Sequence, residues 1–249
     1  MTAPTTTSPG RATDGPDVLP RTPEQLQALA AGGSEKLAGA SAEDVLRWTF
    51  DTFGDGAIVA ASMGDTVVAH LASVVHPGVE LLFLDTGFHF AETIGTADAV
   101  ETVYDVRLRR VSAELTVAEQ EATYGPRLFE RDPDLCCSLR KVTPLQQALA
   151  TRQAWVTGLR RAESDTRSSA QEVSWDARRG LVKVNPIVGW SDDDVERYAA
   201  ANGVLRNPLL DDGYPSIGCA PCTRRVAPGE DARAGRWAGL GKKECGIHL

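Results

Sequence analysis

Between residues 41 and 111, short apolar runs alternate with longer stretches in which apolar side chains recur every three or four positions. Ser41 followed by Asp44 reads as a helix-start box, and Val45, Leu46, Trp48 and Phe53 then follow at helical spacing. Residues 57–61 form an apolar run that ends in Ser62-Met63-Gly64-Asp65, after which Val67, Val68, Leu71, Val74 and Val75 give a second helical stripe. Residues 80–84 read as a buried strand ending at Asp85-Thr86-Gly87, a helix follows over 90–104, and 106–111 make a third strand. Short apolar strands alternating with helices imply a parallel sheet with right-handed crossovers, covered on both faces. The expected fold is α/β, a doubly wound and mainly parallel sheet.

Further on, a polar connector leads to Pro144, placed as the first residue of a helix reaching about 151, and residues 154–157 form the next strand. Gly158 opens an arginine-rich loop. Residues 173–176 and 181–185 read as a strand pair around Arg178-Arg179-Gly180, and Ser191 with Asp194 starts another helix. Residues 1–22 are rich in Thr, Pro, Gly and Asp and carry too few large apolar side chains to offset the entropy of ordering, so a disordered leader is expected.

At 249 residues with 42% hydrophobic and 24% charged positions, the chain has the composition of a globular protein of one large domain or two small ones. No apolar stretch approaches the roughly 18 residues of a membrane span, and the N-terminus lacks the pattern of a secretory signal, so a cytoplasmic protein with no membrane partner is expected. The net charge of -8 argues against a nonspecific nucleic-acid binder. From residue 219 onward the balance reverses: Arg224, Arg225, Arg233, Arg236, Lys242 and Lys243 stand against Glu230, Asp231 and Glu244.

The five cysteines are an odd number in a chain without an export signal, which argues against a disulfide framework. Cys136 and Cys137 are adjacent, Cys219 and Cys222 form a C-x-x-C, and Cys245 stands alone. Four thiolates suit either a tetrahedral zinc or an iron-sulfur cluster. An adjacent pair in an extended segment would point to opposite sides, which favours a cluster with separate irons over one ion. Cys245 lies among small and charged residues, where Lys242 and Lys243 favour its thiolate and Glu244 opposes them.

The turn at Ser62 lies between a strand and a helix N-terminus, where anions bind, and the Asp85 turn opens on the same sheet edge. Arg160, Arg161 and Arg167 follow another strand end, and with Arg233, Arg236 and Lys242 they suit a phosphate or sulfate clamp.

Leu84-Asp85-Thr86-Gly87, Cys136-Cys137-x-x-Arg140-Lys141, Thr157-Gly158-Leu159-Arg160-Arg161, Gly218-Cys219-Ala220-Pro221-Cys222-Thr223-Arg224 and Glu244-Cys245-Gly246-Ile247-His248 together resemble the assimilatory adenylyl-sulfate reductases over about residues 45–249. The resemblance implies an adenine nucleotide alpha-hydrolase-like fold and a 4Fe-4S cluster on Cys136, Cys137, Cys219 and Cys222. It implies reduction of adenosine 5′-phosphosulfate to sulfite and AMP through an S-sulfocysteine on Cys245, with thioredoxin as reductant. Ser62, Leu84 and Gly158 match adenosine-contacting positions; Lys141, Arg167, Arg233 and Arg236 match positions that hold the phosphosulfate. The turn Ser62-Met63-Gly64-Asp65 departs from the commoner Ser-Gly-Gly and Ser-Gly-Ala forms. On this basis residues 23–222 form the nucleotide-binding domain, and 223–249 a mobile C-terminal arm in which Gly235, Gly239, Gly241 and Gly246 supply freedom. The sequence leaves room for a homo-oligomer. Rival readings are a reductase of 3′-phosphoadenosine 5′-phosphosulfate or of both nucleotides, a cluster-containing tRNA thiolase, and a zinc-stapled nucleotide-binding module.

Overall fold

A computed structural model describes residues 21–240, 242, 244, 246 and 247. The chain begins with α1 (Pro23–Lys36) and α2 (Ala42–Phe53), then alternates β1 (Ala57–Ala60), α3 (Val67–Val75), β2 (Val79–Asp85), α4 (Ala91–Val103) and β3 (Val106–Ser112). Helices α5 (Val117–Tyr124), α6 (Leu128–Arg131), α7 (Pro133–Cys137) and α8 (Thr143–Leu149) follow, with a π-helical turn at Ser138–Val142 joining α7 to α8. Then come β4 (Ala154–Val156), β5 (Val173–Asp176), β6 (Leu181–Val184) and α9 (Asp192–Asn202).

The six strands lie in the order β3-β2-β1-β4-β6-β5, parallel except for the β5–β6 hairpin. From β1 the chain winds one way to β2 and β3, then returns to the other side of β1 to build β4 and β6. The direction of winding therefore reverses between β1 and β4, and loops leaving their carboxyl ends diverge to leave a crevice.

Alternate strand residues feed two cores. Val59, Leu81, Phe83, Val156 and Val182 face a large cluster with α1, α2, α3, α4 and α9. Ile58, Leu82, Trp155 and Leu181 face a smaller one with Leu145, Ala148 and Leu149 of α8. Fully burying a side chain such as Leu145 stabilises by about 1.5–3 kcal/mol, so even this thinner layer holds the sheet firmly. Coverage on both faces agrees with the apolar strand runs.

The structure departs from the sequence reading in three places. The chain is ordered from at least Arg21, which donates to Gln153 Oε1 and the Thr52 carbonyl, and Thr22 caps α1 in a box with Gln25. The connector before Pro144 is helical. And residues 223–240, expected within a mobile arm, fold back: Thr223 pairs antiparallel with Arg236, and Trp237 is buried with its amide on the Cys222 carbonyl at 2.9 Å. Gly235 supplies close approach here rather than freedom, since a Cβ would run into the Arg224 carbonyl. Gly241 and the leader up to residue 20 lie outside the described residues.

Candidate active site at the switch of the sheet

Three of the expected positions meet at the crevice. In the strand register Val59 lies beside Leu81 and Val156, so Ser62 after β1, Leu84 in β2 and Gly158 after β4 emerge at one edge. Asn207 braces the Ser62 turn, its side-chain amide on the Met63 carbonyl at 3.1 Å and its backbone amide on the Gly64 carbonyl at 2.9 Å. Met63 takes a left-handed backbone with φ 59°, a conformation that costs a side-chain-bearing residue about 1–2 kcal/mol. Its side chain is 1% exposed in the larger core, and that burial offsets the strain. The departure from a glycine turn is thus balanced by packing. Asp65 accepts from the Val67 amide at 3.0 Å, and burial pushes its carboxyl pKa up.

The turn after β2 connects this edge to the cysteines. Thr86 Oγ1 lies 3.3 Å from Cys219 Sγ, the Thr86 carbonyl accepts from Arg140 Nη1 at 3.0 Å, and the Phe88 carbonyl accepts from the Ala220 amide at 2.7 Å. Arg140 is buried and further held by Gln120 Oε1 and the Leu115 carbonyl.

Cys136, Cys137, Cys219 and Cys222 line a single pocket with Arg140, Lys141, Phe88, Phe129 and Trp237. The premise of an extended cysteine pair is overturned. Cys136 and Cys137 end a helix, where neighbours diverge by about 100°, and the helical path brings Arg140 and Lys141, four residues on from each, to the same pocket. Among the described residues no three His, Cys, Asp or Glu side chains are spaced as ligands of one metal ion. Burial, reinforced by neighbouring thiols, pushes Cys136 up to about 11 and Cys222 up to about 12, with Arg140 and Lys141 respectively opposing the rise. Four converging soft donors, with Cys136 and Cys222 resisting ionisation alone, fit a positively charged sulfur-seeking group, whose binding displaces thiol protons.

A second cavity, of about 220 Å³, is lined by Leu159, Thr166, Arg167, Gln171, Lys183, Asn185 and Glu244 among others. Arg167 meets Glu244 through Nε at 3.1 Å and Nη2 at 3.0 Å, and Arg233 reaches the same carboxylate at 3.3 Å. Glu163 also pairs with Arg167. The expected clamp is therefore divided. Arg167 lines this cavity and Arg233 meets it through Glu244, while Lys141 lines the cysteine pocket; Arg236 stacks on Trp237 at 4.4 Å and donates to Ser216 Oγ and the Ile217 carbonyl. Cys245 lies outside the described residues, between Glu244 and Gly246 in the sequence.

Lys183 is the residue that sequence reasoning passed over. It sits mid-strand in β6 with its ammonium 5.3 Å from the centre of the Trp155 ring, and burial pushes its pKa down to about 8. A lysine within an otherwise apolar strand, Leu-Val-Lys-Val, was the available signal.

Residues 57–225 match the family model for the phosphoadenosine phosphosulfate reductase domain. The chain is 60% identical over 228 residues to the adenosine 5′-phosphosulfate reductase of Streptomyces coelicolor, covering 92% of this chain and 97% of that protein. It is 57% identical to the enzyme of that name from Mycolicibacterium smegmatis, covering 94% and 99%. Among solved structures, a phosphoadenylyl-sulfate reductase from Candida auris, crystallised with phosphate, superposes with a TM-score of 0.68 at 29% identity, covering 80% of this chain and 97% of that one. A Candida glabrata FMN adenylyltransferase, at TM-score 0.52 and 14% identity over 81% of this chain and 73% of that one, shares the fold alone. The fold and the family match define a sulfonucleotide-reductase scaffold, and the chain belongs to the phosphoadenosine phosphosulfate reductase family. Among the described residues no helix is long and apolar enough to cross a membrane.

Proposed function

We propose that the chain reduces adenosine 5′-phosphosulfate to sulfite and AMP, with Cys245 as nucleophile and a thioredoxin as the source of two electrons. The observation that carries this reading is the placement of four cysteines around one pocket while Arg167 and Arg233 converge on Glu244, the residue before Cys245. High identity to proteins named for this substrate supports the unphosphorylated ribose over its 3′-phosphorylated relative.

In the proposed reaction the Cys245 thiolate attacks the sulfate sulfur, a sulfur–sulfur bond forms, and the sulfur–oxygen bond to phosphate breaks to release AMP. A thiol of the reductant then attacks the Cys245 sulfur, sulfite leaves, and the second thiol resolves the mixed disulfide. Bringing a thiolate to a polyanion costs about 4 kcal/mol per unit charge pair at 4 Å and an effective dielectric of 20. Arg167 and Arg233, with Lys141 of the cysteine pocket and Arg236 beside Trp237, offset that repulsion. Ser62, Leu84 and Gly158 hold the adenosine at the sheet edge. Cys136, Cys137, Cys219 and Cys222 would hold a 4Fe-4S cluster, which would tie the α7 helix to the 219–222 turn and supply a fixed charge beside Lys141.

Sulfite release assayed with reduced thioredoxin on each nucleotide tests the assignment. Preferential turnover of adenosine 5′-phosphosulfate supports it. Preference for the 3′-phosphorylated nucleotide, or a requirement for ATP hydrolysis, would overturn it.

A further inference from the structure

The tail touches the body of the protein on both sides of Cys245. On one side Glu244 lies on Arg167 and Arg233. On the other, the Ile247 carbonyl accepts from Arg179 Nη2 at 2.8 Å, and the Ile247 side chain packs on the smaller core formed by Ile58, Leu82, Leu145 and Trp155. Gly246 between them lies close to Val142, where a Cβ would come within 3.4 Å.

Arg179 is itself rigidly held. Its Nη1 pairs with Asp176 Oδ2 at 2.9 Å, both side chains are buried, and its guanidinium lies 5.1 Å from the centre of the Trp155 ring. One planar fork thus uses one nitrogen on Asp176 and points another at the tail, a pre-organised arrangement that a lysine cannot copy.

The two anchors differ in what the substrate does to them. On the proposed function, on which this inference rests, the phosphosulfate needs Arg167 and Arg233, so Glu244 must yield when nucleotide arrives. Arg179 and Ile247 lie outside the lining of that cavity. Their contact can persist while the nucleotide is bound.

We propose that Arg179 is a positioning residue for the nucleophile: by holding the Ile247 carbonyl two residues after Cys245, it keeps the tail on the sheet face during attack, independently of substrate. Holding one end of a short segment restricts where its middle can go, which raises the fraction of time the thiolate spends in line with the sulfur.

The test compares wild type, Arg179→Gln and Ile247→Ala, the latter removing the tail's side-chain contact with the smaller core. Three quantities are read: first-turnover sulfonation of Cys245 without reductant, alkylation of Cys245 by iodoacetamide without nucleotide, and equilibrium affinity for AMP. Both variants should sulfonate more slowly by on the order of tenfold, alkylate faster, and bind AMP as wild type does. Wild-type alkylation and sulfonation rates in both variants would overturn the proposal. So would a loss of AMP affinity that accounts for the slower sulfonation. Alkylation needs no turnover, so it decides the anchor even if wild type forms no adduct; that outcome would instead remove the reaction scheme.

Discussion

Arg167 grips Glu244 through two hydrogen bonds of 3.1 and 3.0 Å, one to each carboxylate oxygen, with both side chains at or below 10% exposure, and Glu244 precedes Cys245 in the chain. A carboxylate of the arm therefore occupies the guanidiniums assigned to the substrate's anion. Replacing it by an amide removes the internal competitor. Glu244→Gln, made in a Cys245→Ser background to prevent turnover, should tighten binding of adenosine 5′-phosphosulfate by on the order of tenfold, measured by calorimetry. Unchanged or weaker binding would mean that Arg167 and Arg233 serve the tail rather than the nucleotide.

Lys183 should give the cavity proposed for the phosphosulfate a pH dependence. Burial is the main cause of its lowered pKa; Arg179 and Arg167 lower it further, and Asp176 and Glu244 oppose them. The folded protein thus loses this proton near pH 8, whereas an ordinary lysine keeps it to about 10.5. Below about 8 the cavity carries the extra cation; above it, the cation is gone. Affinity of the Cys245→Ser protein for the nucleotide should fall between pH 7 and pH 9, and Lys183→Met should bind more weakly at pH 7 and lose that slope. The same slope in Lys183→Met would assign it to another group.

Cys137→Ser should lose iron and soluble yield together, because a hydroxyl is a poor ligand for iron and the pocket joins helix α7 to a turn more than 80 residues away. Iron analysis of the purified protein checks it. Full iron content in the variant would remove Cys137 from the ligand set.

Two glycines separate room from necessity. At Gly235 a Cβ would collide with the Arg224 backbone carbonyl, so Gly235→Ala should destabilise by about 1–3 kcal/mol and lower Tm. Gly95, inside α4, has nothing within 4 Å of an added Cβ and an ordinary helical φ. Gly95→Ala should raise stability by about 0.4–1 kcal/mol. Denaturant titration of both proteins distinguishes them.

The sheet was legible because its signals are local. Ser41 and Ser191 cap α2 and α9 as their spacing with Asp44 and Asp194 implies, and each apolar run between residues 57 and 157 became a strand. Helix α1 escaped because only Leu26, Ala30 and Gly33 of its fourteen residues are buried; its Thr22–Gln25 box was the readable trace. The helical cysteine segment was hidden by polar residues that face a pocket rather than solvent. Arg140 and Lys141 look like surface positions in the sequence yet are both buried. The folded stretch after residue 222 depends on Trp237 meeting Arg236, Lys242 and the Cys222 carbonyl, contacts with no periodic signature. The separation of the four expected phosphosulfate cations is likewise tertiary: Arg167 lines the cavity, Lys141 the cysteine pocket, Arg233 meets Glu244 and Arg236 stacks on Trp237. The packing of the β2 turn against the 219–222 turn, which brings Phe88 to the cysteine pocket, is a contact of the same kind.

The identity of the nucleophile is tested most directly by mixing the purified protein with adenosine 5′-phosphosulfate in the absence of reductant and mapping the peptides by mass. A sulfonate adduct should appear on the C-terminal peptide at Cys245 and be released as sulfite by reduced thioredoxin. Cys245→Ser should keep its fold and bind nucleotide while forming no adduct and releasing no sulfite, because a serine hydroxyl is hardly ionised at neutral pH and is a far weaker nucleophile toward sulfur. An adduct on Cys136, Cys137, Cys219 or Cys222, or thioredoxin-dependent turnover by Cys245→Ser, would contradict the assignment of Cys245.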